Sequence, residues 1–214
     1  MSKDYEIRIG GGPMAIPTLG GELTDKQRGQ IEIWSHVPPF DGFILSLGGT
    51  AAVDISMLRK MLIGFRGEVL SEVMAIEYLL AAIPLADELK DEDKFHEKFW
   101  EKMNDNKRMF HNRIQDFRKW IDGRFMGMTE DNFDAATSFL LDVRNSLAHY
   151  PVQGAFDGTN NTLVPFLYRA SKKQMFIFCT HKLMVLNTWL TMLKRELEQQ
   201  YQKLQTDRKA RGTD

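Results

Sequence analysis

Arg144, Asn145 and His149 are the residues of this chain whose types and spacing offer chemistry. They fall in the run Arg144-Asn145-Ser146-Leu147-Ala148-His149. A planar guanidinium matches a phosphate and stabilises the charge that grows on it. A neutral imidazole takes a hydroxyl proton near neutral pH. Together they fit cleavage of RNA without a metal, with the 2′-hydroxyl as the attacking group. An i to i+5 separation is about 140° around an ideal helix. Both groups flank one phosphate only if the long arginine reaches round and the helix ends at His149. Asn145, four residues before His149, is placed to hold its ring or to touch the substrate. The same residues also fit a structural reading, in which Arg144 pairs with an internal carboxylate and His149 caps the helix.

The elements that would carry these residues are helical. Leu58, Leu62, Phe65, Val69, Val73, Ile76, Leu80 and Ile83 recur at three- and four-residue spacing and predict a long helix from Thr50 to Ile83, stopped by Pro84. A second stripe, Phe95, Phe99, Met103, Phe110, Ile114, Phe117 and Ile121, predicts one helix from Asp93 to Ile121, ended by Gly123. A third helix is expected to start near Thr129, with Glu130 and Asp131 in its first turn, and to end before Pro151. Its stripe is Phe133, Ala136, Leu140, Arg144 and Leu147, so a guanidinium arrives on a core-facing face, which is costly unless paired or bound to an anion.

Val152–Phe156 and Thr162–Tyr168, joined by Asp157-Gly158-Thr159-Asn160-Asn161, read as a β-hairpin. The last helix is expected from about Ser171 to Leu204. Phe176, Cys179, Leu183, Leu190, Leu197 and Tyr201 line one face, and Phe178, Val185 and Trp189 make the opposite face apolar as well. A helix apolar on two sides is buried in a core and against a partner. Residues 1–48 hold half of the 16 glycines and four of the seven prolines, and read as an extended arm or cap with a short helix from Asp25 to about His36.

Other candidates carry less. Glu72 interrupts the stripe of the first helix, with Glu68 about 40° further round. Either carboxylate fits an orienting role toward Arg144 through a buried pair, and Glu72 fits equally as a residue at the edge of a narrower stripe. Gly48-Gly49-Thr50 lacks the Lys-Ser/Thr of a phosphate loop and reads as a plain helix start. His96, His111 and His181 are surface residues or remote from a second ligand, and no His, Cys and carboxylate spacing points to zinc.

The motif at the end of an amphipathic helix, followed by a hairpin and a long final helix, resembles the HEPN superfamily. Its hallmark is an arginine, a polar residue and a short run to histidine, here Arg144, Asn145 and His149 in the R-x4-6-H form. The likeness covers residues 50–204. It implies a mainly α fold: a HEPN-like helical bundle over residues 49–208, with a small β-hairpin excursion and the N-terminal arm 1–48 outside it. It also implies a dimeric, metal-independent endoribonuclease without a cofactor, of the kind found in prokaryotic defence, toxin–antitoxin and RNA-processing systems. Arg144 would then polarise the scissile phosphate and His149 act as general base or acid. Asn145 would orient His149, and Tyr150 and Ser146 would contact the substrate. The expected partners are RNA, tRNA among them, a second copy of the chain, and a protein regulator such as an antitoxin. Where some toxin members carry His-x-Tyr, this chain has Tyr150 directly after His149 and Pro151 next. Many HEPN domains are not catalytic, so the alternative is a helical module that binds RNA or protein without cutting.

Bulk properties are compatible with both readings. The 214 residues carry a net charge of -1, so no global basic field favours avid nucleic-acid binding, and a local basic site is required instead. Cys179 alone allows no internal disulfide. The charged N-terminus has no apolar leader. The apolar stretch Met175–Leu193 contains His181, Lys182 and Asn187 and reads poorly as a membrane span. A cytoplasmic location without membrane contact is the expectation.

Overall fold

Asp54 starts the first long helix. Its carboxylate accepts backbone N–H bonds from Ser56 (2.8 Å) and Met57 (3.3 Å), satisfying donors that a helix start leaves open. The helix, α1 (Ile55–Glu88), buries Leu58, Leu62, Phe65, Val69, Val73, Ile76 and Leu80, the stripe read from the sequence. Pro84 does not stop it. The proline lies inside the helix, which runs on to Glu88. Pro84 offers no N–H to the Leu80 carbonyl, but burial of Leu80, Ala81, Ala82, Ile83 and Ala86 holds this stretch in place and outweighs the lost bond. This computed structural model describes residues 6–9, 12–15, 25–28, 43–46, 54–89, 91–104, 110–121, 127–158, 162–169 and 174–211. The expected helix start at Thr50, and residues 29–36 of the expected short helix, lie outside them. Residues 25–28 are helical.

The chain is mainly helical with a small sheet. The helix expected over 93–121 is two helices, α2 (Glu92–Asn104) and α3 (Phe110–Ile121). Residues 105–109, between the two helices, lie outside the described residues. Asp91 caps α2 through the Lys94 N–H at 3.1 Å. Helix α4 (Glu130–His149) begins as expected, with Thr129 accepting from the Asn132 N–H at 3.3 Å, and ends at His149. The last helix, α5 (Thr180–Arg211), starts nine residues later than Ser171, because Gln174–Ile177 is a strand. Phe178 therefore lies before the helix, and one of the three residues cited for its second apolar face is removed. The most apolar membrane-length helix is α1 rather than residues 175–193, and 56% of its most apolar stretch is buried inside the protein itself.

Among the described residues, six strands accompany the helices. β1 (Glu6–Ile9) and β2 (Gly12–Ala15) form a separate antiparallel pair. β3 (Phe43–Ser46) pairs in parallel with β4 (Gln153–Asp157), which pairs antiparallel with β5 (Thr162–Arg169), which pairs antiparallel with β6 (Gln174–Ile177). The hairpin read from the sequence is thus the centre of a four-stranded sheet, and residues 43–46 of the expected arm form one of its edges.

The chain divides into two compact units, Met1–Leu70 with Val143–Asn187, and Ser71–Asp142 with Thr188–Asp214. In the first, α1 lies directly on the sheet. A Cβ at Gly154 would stand 2.7 Å from Leu163 Cδ1 and 2.8 Å from Leu62 Cδ1. β4 and residues 162–167 of β5 are buried throughout. Phe65 meets Phe178 edge-on at 5.0 Å, and the Phe178 N–H is anchored on the Pro165 carbonyl at 2.8 Å.

In the second unit, Phe95 and Phe99 of α2 pack with Ala81, Ala82 and Ala86 of α1. The alanines let the α2 rings come close. Tyr78 leans on Phe99 at 4.5 Å, and burial together with the nearby Tyr201 phenol raises its pKa above the ordinary tyrosine value. Arg113 is buried and pairs with buried Glu77, and also donates to the Met103 carbonyl at 3.2 Å.

Two stability effects follow. Gly154→Ala forces a methyl group into the contact between α1 and the sheet, and chemical denaturation should show a loss of about 1–3 kcal/mol. Arg113→Ala strands Glu77 in the core, and the same measurement should show a loss of about 3–5 kcal/mol.

Candidate functional site

The site is built on the last two turns of α4. Val143 and Leu147 are fully buried and Ser146 is 2% exposed, so these three fix the rotation of the helix in the first compact unit. Successive helical residues turn by about 100°. Arg144 therefore falls at the edge of the buried face and is half-buried, while Asn145 and His149 are exposed.

The sequence reading put Arg144 itself on the core stripe. The buried run is Phe133, Ala136, Thr137, Leu140, Val143, Ser146 and Leu147, and Val143 takes the place assigned to Arg144. The guanidinium is thus spared full desolvation. Among the described residues its side-chain partner is Asn145, whose Oδ1 accepts from Arg144 Nη1 at 3.2 Å. Asn145 is then placed beside the arginine as well as one turn from His149, on the exposed side of the helix.

The two carboxylates expected to orient Arg144 both lie on α1. Glu72, half-buried at the edge of the α1 stripe, accepts from Lys194 Nζ at 2.8 Å. Glu68 is half-buried on α1. Ser146, expected to contact a substrate, is buried. Tyr150 is half-buried, and its N–H continues the helical pattern onto the Ser146 carbonyl at 3.0 Å, which keeps α4 regular through His149.

A residue missed by the sequence reading stands next to this turn. Arg66 Nη2 of α1 approaches the Ala148 carbonyl at 3.5 Å. The carbonyls of a last helical turn lack intrahelical donors and carry the negative end of the helix dipole. A cation beside them is favourable in itself. Arg66 follows the core residue Phe65 by one position, an ordinary surface pattern, so nothing in its spacing marks it.

Two half-buried arginines, an exposed amide and an exposed imidazole thus lie on or beside one helix end of the first compact unit. A guanidinium can meet an anion and a neutral imidazole can accept a proton. His96, His111 and His181 are exposed elsewhere. Among the described residues no group of three or more His, Cys, Asp or Glu is placed to hold a metal ion.

Because Arg144 stands at the edge of the buried face without a carboxylate partner among the described residues, its removal strands nothing. Arg144→Ala should change stability by about 1 kcal/mol or less, a shift of roughly 2–4 °C in a melting curve for a chain of this size. Loss of folding would show that the arginine is a structural residue.

No family model, curated protein or solved structure matches this chain.

Proposed function

We propose that the chain is a metal-independent endoribonuclease of the HEPN kind, acting as a homodimer on RNA. The observation that carries the reading is the disposition of Arg144: half-buried, joined to Asn145, and on the same helical end as exposed His149. The R-x4-6-H pattern and the order of elements support it.

In this reading the Arg144 guanidinium receives two oxygens of the scissile phosphate and stabilises the extra charge of the pentacoordinate state. Neutral His149 accepts the 2′-hydroxyl proton. The 2′-oxygen forms a bond to phosphorus, the bond from phosphorus to the 5′-oxygen breaks, and that oxygen leaves with a proton from solvent. The products are a 2′,3′-cyclic phosphate and a 5′-hydroxyl. Asn145 keeps Arg144 in line, and Tyr150 offers a ring on which a base stacks. A role in defence or beside an antitoxin, in the cytoplasm, belongs to the same proposal.

One observation favours the alternative, a helical module that binds without cutting. α4 is regular through His149, so Arg144 and His149 remain about 140° apart around it and about 7.5 Å apart along it. A single copy then needs the full reach of the arginine to bring both groups to one phosphate.

Incubation with total RNA or tRNA in EDTA separates the two. Cleavage should persist in EDTA and fall by about two to four decades in His149→Ala, with a comparable loss in Arg144→Ala. RNA binding without cleavage would establish the module. Equal cleavage by wild type and both variants would remove the site from the reaction.

A further inference from the structure

We infer that the edge of β4 is a docking site for an extended strand of a partner protein, and that β3 is a replaceable occupant of that edge. The inference stands apart from the chemistry of Arg144 and His149. It starts from a polar atom that the fold leaves without a bond. Gln153, the first residue of β4, is 2% exposed, and among the described residues its side-chain Oε1 is buried with no hydrogen-bond partner. A buried polar group is costly when unmet and is not when paired. The residue that β3 places beside Gln153 in the parallel register is Phe43, a type with no side-chain donor or acceptor.

The other features of β3 point the same way. It is four residues long, stands at the edge of the sheet and pairs in parallel, while the other two pairings of this sheet are antiparallel. Parallel pairing is slightly weaker per residue. β4 is buried at all five positions, but of the β3 residues beside it Ile44 is half-buried and Ser46 is exposed. These two stand at the registers of Gly154 and Phe156. The β4 edge needs a neighbour for its backbone groups, and the one it has leaves Gln153 unmet.

The same register defines a better-fitting occupant. It is an extended segment parallel to β4, with a hydroxyl side chain opposite Gln153 and an apolar one opposite Phe156, where β3 has Ser46. Main-chain bonds would give such a strand its affinity, and the alternate side chains its specificity. A second copy of this chain would bring the same Phe43 and leave Gln153 as it is, so the fit favours a different sequence. β4 begins four residues after His149, so a strand docked on it passes close to the end of α4 in the chain.

The test uses the full chain and two synthetic peptides, residues 41–48 as they stand and the same peptide with Phe43→Thr. Hydrogen–deuterium exchange at residues 43–46 of the protein reports displacement of β3. It is followed with each peptide up to about 1 mM, the effective concentration of a tethered strand. The Phe43→Thr peptide should accelerate exchange at 43–46, with half-effect at a concentration about tenfold below that of the unaltered peptide, the factor for one satisfied hydrogen bond. In Gln153→Met the two peptides should act alike. Equal action of both peptides on the wild type, the outcome expected if a second copy were the occupant, would overturn the inference. Exchange at 43–46 unchanged by either peptide would overturn it as well. The wild-type comparison decides by itself if Gln153→Met fails to fold.

Discussion

Helix α1 lies close on the sheet at residue 154, where the chain has no side chain. The position that a Cβ would occupy is within 3 Å of side-chain carbons from both Leu62 and Leu163. Much of the first compact unit depends on that approach. Leu62 and Phe65 are completely buried, and Arg66 is carried beside Ala148 by the same stretch of α1. Gly154 also follows His149 by only five residues, so the strand that admits α1 is the continuation of the helix that presents the histidine. The close contact at Gly154 and the approach of Arg66 to Ala148 thus lie on the same stretch of α1.

The site itself follows from helix periodicity. Burying Val143 and Leu147 leaves Arg144 at the edge and Asn145 and His149 outside. Burial of the two apolar side chains contributes about 3–6 kcal/mol in transfer terms, far more than any surface contact of Arg144. The core therefore decides the rotation, and the polar residues take the positions that remain. That order of effects lets a charged group sit at a helix edge with little cost to folding, which suits the anion-binding role proposed for Arg144. It also places the histidine at a helix end of unfavourable sign for phosphate, which makes neighbouring cations a requirement of the proposed chemistry.

Much of the helical content was legible because apolar residues recur at helical spacing and because Thr129 marks a start, whereas the Asp54 and Asp91 caps were not read. The α1 stripe, the Thr129 start and the stop before Pro151 correspond residue for residue. The misreadings have separate causes. Pro84 looked like a stop because local sterics oppose a helix there, but burial of the surrounding residues outweighs one lost bond. The 93–121 helix looked continuous because Phe110, Ile114 and Phe117 carry on the apolar spacing of Phe95, Phe99 and Met103. Met175, Phe176 and Ile177 fit a short strand as well as a helix, and only pairing with β5 distinguishes the two. Within the site, the motif was visible but its rotation was off by one residue, since Val143 and Arg144 are each compatible with a stripe drawn through Leu140 and Leu147. Arg66 was invisible, because its place beside Ala148 is a tertiary relation between segments 82 residues apart.

The central claim is that RNA is cut at the Arg144–His149 turn by attack of its own 2′-hydroxyl. Mass spectrometry of the ends formed on a short synthetic RNA, alongside the same RNA with one 2′-deoxy nucleotide at the mapped cleavage position, tests it directly. The account expects a 2′,3′-cyclic phosphate with a 5′-hydroxyl, and no cut at the deoxy position. A 5′-phosphate end, or equal cutting of the deoxy-substituted strand, would contradict it, because either outcome requires water rather than the 2′-oxygen as the nucleophile.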